Sequence, residues 1–120
     1  MRHVEDDEQA ALMTWARWQP FNGGRLADYL HHSPNGGRRD LREGARLKAQ
    51  GVMAGFPDLF LFVPRGGTHG LFIEMKAKGG RVQDNQREVM GRLSAMGYRC
   101  EVCFGCDAAI EVIKAYLAES

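Results

Sequence analysis

The sequence predicts an α/β domain built on a small mixed β-sheet flanked by helices. Three observations predict it. Segments with apolar residues at helical spacing alternate with short apolar runs of strand length. Glycine pairs at 23–24, 36–37, 66–67 and 79–80 punctuate those segments, because glycine tolerates positive φ cheaply and breaks regular elements. Two neighbouring apolar runs, 58–63 and 71–76, are joined by a short glycine-rich connector, the pattern of a hairpin.

The elements follow in order. Residues 5–18 read as a helix, with Ala11, Leu12, Trp15 and Trp18 at helical spacing and Glu8 on the same stripe. The two tryptophans are read as core or interface residues. Residues 27–32 read as a short strand ending at Ser33-Pro34-Asn35. Residues 39–50 read as a basic helix with Leu41, Ala45 and Leu47 inward and Gly51 as its stop. The run from Asp58 to Val63, bounded by Pro57 and Pro64, suits a buried strand, and Leu71 to Lys76 is a second one. Residues 82–96 form a helix with Val82, Val89, Met90, Leu93 and Met96 on one side and Gly97 past its end. Tyr98 to Phe104 reads as a strand. A last helix spans 107–118, with Ile110, Ile113 and Leu117 inward and Asp107 as N-cap.

Composition bounds the function. Of 120 residues, 44 % are apolar, which supports a core and excludes a disordered chain. One domain spanning 1–120 is expected. A domain this short buries a modest share of its surface, which favours oligomerisation. The net charge of +1 does not announce a nucleic-acid binder. Its distribution says more. Residues 38–50 and 76–92 each carry a local +3, offset by acidic residues near both ends. No apolar run approaches the ~18 residues that span a membrane. The acidic start lacks a secretory pattern, so a cytoplasmic protein with reduced thiols is expected.

Two strand residues demand explanation. Glu74 and Lys76 interrupt an apolar strand and, two apart, project from one face. Burying either charge unpaired costs several kcal/mol, and an ion pair alone would satisfy both. Asp58 adds a further demand. A hairpin turning near Gly66-Gly67 pairs residues whose numbers sum to roughly 132–134, which sets Asp58 opposite 74–76. Two close carboxylates repel unless a cation sits between them. Oxygen donors at this density suit Mg²⁺ or Mn²⁺, which share substrate phosphates, and a nearby ammonium can orient an attacking water. That assembly is built for phosphodiester hydrolysis. Gln86 lies on the apolar stripe of its helix, as Glu8 does on the first; each either bonds internally or points at a site.

The three cysteines, Cys100-x-x-Cys103-x-x-Cys106, invite a zinc reading. Odd spacing turns Cys100 and Cys103 to opposite faces of a strand, and His31, His32 and His69 lie in distant segments. The cysteines are read as small apolar residues, and His31-His32 as a strand-edge or surface pair.

The ordered set Gly55-Phe56-Pro57-Asp58-Leu59, Glu74-Met75-Lys76 and Gln86 resembles the PD-(D/E)XK nuclease signature. With Arg46-Leu47-Lys48 ahead of Gly51, then Phe72-Ile73, Gly97 and Tyr116-Leu117, the chain is similar to the VRR-NUC family, virus-type replication-repair nucleases, over roughly 5–118. The resemblance implies a restriction-endonuclease-like core. It implies that Asp58, Glu74 and the Met75 backbone carbonyl hold a catalytic Mg²⁺ or Mn²⁺. Lys76 would position or activate the attacking water, Gln86 would support the site, and Glu8 would reach the metal directly or through water. Asn35 would contact substrate. Separately, from the charge distribution, Arg38, Arg39, Arg42, Arg46, Lys78 and Arg81 of the two basic stretches are read as a local DNA-binding face. The implied activity is that of a structure-selective DNA endonuclease, a Holliday-junction resolvase working as a homodimer in phage or prophage recombination. A flap, nick or single-strand-end nuclease, or an inactive DNA-binding module, is the alternative. Two features depart from the family pattern. Gln83 stands where members often place serine at a helix start, and the strand before the last helix holds Cys100 and Cys103 instead of aliphatic residues.

Overall fold

The structure, a computed structural model, describes residues 4–34 and 41–120. Asn35, Arg38 and Arg39 lie outside the described residues. Helix α1 spans Val4–Trp18. A two-residue ribbon follows, β1 at Pro20–Phe21 and β2 at Gly24–Arg25. A 3₁₀ turn at Leu26–Tyr29 leads into β3 at Leu30–His32. Then come α2 at Leu41–Ala49, β4 at Leu59–Leu61, β5 at Leu71–Lys76, α3 at Asp84–Ala95, β6 at Arg99–Phe104 and α4 at Cys106–Leu117.

The main sheet has the order β3-β4-β5-β6, antiparallel except for the parallel pair β5 and β6. This is the mixed sheet flanked by helices that the sequence predicts. The hairpin register is Leu59 opposite Ile73 and Leu61 opposite Leu71, within the expected range. It closes at Arg65–Thr68, where Gly66 and Gly67 take φ of +57° and +76° that a side chain would resist.

Alternation along β5 sorts the two faces. Leu71, Ile73 and Met75 point into a core shared with Leu12 and Ala16 of α1, Leu59 and Leu61 of β4, Cys103 of β6, and Ala109, Ile113 and Tyr116 of α4. Phe72 points the other way and stacks on Phe60 at 4.2 Å between ring centroids. Helix α3 covers the β6 end of that second face, where Cys100 Sγ donates to the Met90 carbonyl at 3.6 Å. Cys103 lies in the core and Cys100 beneath α3, on opposite faces as their odd spacing predicts. Among the described residues no helix is long and apolar enough to cross a membrane.

Several expectations need correction. Ala27–Tyr29 are in the 3₁₀ turn and not in a strand, because the Asp28 carboxylate accepts both the Arg25 backbone N–H at 3.2 Å and its guanidinium at 3.1 Å. Trp18 is 81 % exposed and outside the core, whereas Trp15 packs against it. Ala11 is also exposed, since the buried stripe of α1 runs through Leu12 and Ala16. Ala45 is exposed as well, α2 having no extensive packing partner among the described elements. Met96, 68 % exposed, ends α3 facing solvent. Val82 precedes α3 and does not belong to it. Gly105, not Asp107, caps α4; its φ of +97° turns the chain, and Glu8 reaches across to accept the Cys106 N–H at 3.3 Å.

Candidate active site

Strand β4 begins at Leu59, opposite Ile73, so it leaves the last three residues of β5 unpaired on that side, and Asp58 fills part of the gap. Its Oδ2 accepts the Met75 N–H at 2.8 Å, where a neighbouring strand's carbonyl would otherwise stand. Its own carbonyl accepts the Ser33 N–H at 2.8 Å and lies 3.0 Å from His32 Nδ1. A strand residue sends its N–H and C=O to the same edge, so the Met75 carbonyl also leaves β5 beside Asp58.

Glu74 and Lys76, on the face opposite the core, are only 3 % and 7 % exposed. Lys76 Nζ is 3.6 Å from Glu74 Oε2. Gln86 Nε2 donates to the same oxygen at 3.0 Å, while Gln86 Oε1 accepts the Gln83 backbone N–H at 2.8 Å. One side chain thus caps the start of α3 and fixes the Glu74 carboxylate. This also answers the departure at Gln83: the cap comes from the third helical residue reaching back. Asp58 and Glu74 line one cavity. Burial, then the Asp58 charge, pushes the Glu74 carboxyl up from its ordinary 4.5 to about 7, against the pull of Lys76. Burial raises Asp58 as well, against the Met75 N–H. These groups open on a cavity of about 110 Å³ lined by Glu5, Gly55, Phe56, Asp58, Glu74, Lys76 and Gln86.

The VRR-NUC domain matches residues 5–107. The chain belongs to the VRR-NUC family. A solved structure of a VRR_NUC domain protein is similar to it at a TM-score of 0.88 and 37 % sequence identity, covering 100 % of this chain and 93 % of that one. No curated protein matches the chain. VRR-NUC domains are of nuclease type, which fits a site of paired carboxylates, a lysine and a glutamine.

In this VRR-NUC domain Asp58, Glu74, Lys76 and Gln86 converge as their spacing suggests. Glu8 does not line the cavity; its carboxylate is engaged at the start of α4. Glu5, one turn earlier on α1, lines it instead, and sequence reasoning missed it. The only signal was its place three residues before Glu8, and helical periodicity cannot say which turn meets the sheet end. Arg42 and Arg46 are exposed on α2, Arg46 paired with Glu43 at 3.0 Å. Lys78 and Arg81 are exposed after β5.

Gly55 holds the loop that carries Asp58. Its φ is +86°, and an added Cβ would fall 2.7 Å from the Asn85 carbonyl group at the start of α3. Phe56 anchors the same loop edge-on to Phe72 at 5.4 Å. Gly55→Ala is expected to cost about 1–3 kcal/mol from backbone strain alone, with a further loss of activity as Asp58 shifts. Chemical denaturation beside a cleavage assay checks this; a variant with wild-type stability and activity would refute it.

The raised Glu74 carboxyl has a consequence for stability. The folded chain keeps this proton to about pH 7 and the unfolded chain only to its ordinary 4.5. Its stabilising contribution is therefore full below pH 4.5 and lost as pH rises through 7. Asp58, also raised, adds in the same direction. Metal-free protein should melt at lower temperature as pH rises across this window, and Glu74→Gln should remove most of the slope. A melting series in chelator tests it, and a Glu74→Gln slope equal to wild type would contradict the assignment.

Proposed function

We propose that this chain is a divalent-metal-dependent, structure-selective DNA endonuclease that resolves four-way junctions as a homodimer, with residues 1–120 forming one catalytic domain. The Asp58 and Glu74 carboxyls, converging on one small cavity beside Lys76 and Gln86, carry this reading. Two acids so close in a small polar cavity are poorly accommodated without a cation.

The donor set fits the ion. Among the described residues no three His, Cys, Asp or Glu side chains are gathered closely enough to hold a metal unaided. Mg²⁺ and Mn²⁺ need less, since they keep waters and bind substrate phosphates through one or two carboxylates. Asp58, Glu74 and the Met75 carbonyl would hold it, with Glu5 acting from α1. When bound, the ion supplies charge neutralisation and Lewis-acid polarisation at the scissile phosphate.

The remaining work falls to the chain. Lys76, held against Glu74, donates hydrogen bonds to the attacking water and to charge developing on the phosphate. Gln86 keeps the Glu74 carboxylate in one rotamer, and the loop of Gly55 and Phe56 restricts solvent. The basic side chains Arg42, Arg46, Lys78 and Arg81, together with Asn35, Arg38 and Arg39, take the DNA backbone. A two-fold dimer sets two sites at a fixed spacing, as the paired strands of a junction require.

The experiment uses labelled four-way junctions, flaps and linear duplexes with Mg²⁺, with Mn²⁺ and with chelator. Paired metal-dependent cuts in junctions support the proposal. Cutting confined to flaps, nicks or single-stranded ends favours that alternative instead. Binding without cutting under every condition would indicate an inactive module, against which the intact Asp58, Glu74, Lys76 and Gln86 set argues.

A further inference from the structure

Beside the active-site cavity lies a second, larger concavity that catalysis does not use. It measures about 640 Å³, within the range of small-ligand sites, and lies between the start of α3 and β6, the edge strand of the main sheet. Arg81, Gln83, Asp84 and Arg87 form its polar rim, and Met90 and Val102 its apolar floor.

Two features of the chain join it to the cutting site. After β5 the backbone turns at Gly79, with φ of +83°, and folds back on Lys76: a side-chain carbon added at Gly80 would lie 3.6 Å from the Lys76 Cβ. Arg81 therefore follows at once beside the site lysine. On the helix, Gln83 is tied through its backbone N–H to Gln86, which holds Glu74. Groove and cavity are one helical turn apart.

The chemistry of the lining names the ligand. Arginine matches phosphate oxygens bidentately. The one carboxylate on the rim, Asp84, is paired with Arg87 at 2.8 Å, and both side chains are exposed. An exposed pair of this kind is screened by solvent and adds little, so Arg87 exchanges readily to a phosphate. An apolar floor under a basic rim suits a flat base more than a sugar-phosphate backbone held in a duplex, whose bases are stacked and out of reach.

We propose that this groove receives an unpaired nucleotide of the DNA strand being cut, with Arg81 and Arg87 on its phosphate and Met90 and Val102 against its base. The inference rests on the nuclease reading of the adjacent site and deepens it: among four-way junctions, those with at least one base unpaired at the branch, next to the scissile bond, are cut preferentially.

The test has two arms. In the first, a labelled five-nucleotide oligothymidylate is titrated into metal-free protein by fluorescence anisotropy, beside an abasic oligomer of the same length. Wild type should bind the thymidylate more tightly by about fivefold or more, the gain from one base packed on a protein surface. Arg81→Gln/Arg87→Gln should weaken binding about tenfold or more, and Val102→Glu, if its melting curve shows it folded, should erase the preference for thymidylate. Equal binding of the two oligomers by wild type would overturn the base contact, and an unaffected double-arginine variant would overturn the phosphate contact. In the second arm, kcat/KM is compared for a branched substrate with unpaired nucleotides and a fully paired nicked duplex. The double variant should lower the branched-to-paired ratio about tenfold. Equal losses on both would reduce the arginines to general attraction and overturn the proposal. If wild type cuts nothing, the nuclease reading fails, and the first arm still decides the groove.

Discussion

Glu74→Gln is expected to lose DNA cleavage by a factor on the order of 10³ or more while folding as stably as wild type or better above pH 7. The two outcomes share one cause. In wild type the Glu74 carboxyl, 3 % exposed and beside the Asp58 charge, resists ionisation up to about pH 7. Glutamine mimics the protonated form: it keeps an oxygen for Gln86 Nε2 and removes the like-charge repulsion with Asp58. It also removes a negative charge that a divalent cation needs. Calorimetric titration with Mn²⁺ should therefore show a loss of affinity alongside the loss of cutting, while the melting temperature at pH 8 holds or rises. A variant that melted well below wild type at pH 8 would mean that the Lys76–Glu74 pair is a structural ion pair, and the site would lose its main support. Removing one partner of a buried pair is otherwise strongly destabilising, so the sign of this change discriminates.

The core of that site was legible because strand geometry is nearly digital. Alternation puts Glu74 and Lys76 on one face, and a hairpin turning at Gly66-Gly67 fixes Asp58 opposite them with little freedom. The glycine before Pro57-Asp58 was visible as part of a motif. Its reason, the close approach of the loop to Asn85, needed coordinates. What stayed illegible depends on packing across long separations. Glu5 and Glu8 are one turn apart on an acidic stretch, and only the tilt of α1 decides that Glu8 meets Cys106, 98 residues on, while Glu5 meets the cavity. Trp18 and Met96 are apolar residues at correct helical spacing, yet each sits at the last turn or just past it, where the covering element has ended. The 3₁₀ turn at Leu26–Tyr29 is set by one aspartate bonding three residues back, a local competition that apolar periodicity does not register.

Lys76→Met should separate catalysis from cation binding. Methionine approximates the volume of the lysine stem and keeps the site packed, so the change removes an ammonium and little else. Cleavage under saturating Mn²⁺ is expected to fall about 10²–10⁴-fold, the usual range for a positioned proton-handling group. Affinity for the cation should stay close to wild type, because Asp58 and Glu74 remain and a nearby positive charge has gone. The pH profile supplies a second readout. Lys76 now holds the Glu74 carboxyl down against burial and Asp58. Without it the carboxyl rises above about 7, and the fall in stability with increasing pH shifts to a higher range. A lysine that served only as a structural counter-ion would give a different set of results: the profile would move, but cutting at saturating cation would stay near wild type. Loss of cutting together with an upward shift, at unchanged Mn²⁺ affinity, is the pattern expected when Lys76 acts on the substrate side while sharing its field with Glu74. Arginine should not replace it, since a planar guanidinium needs room that a lysine 7 % exposed against Glu74 does not leave.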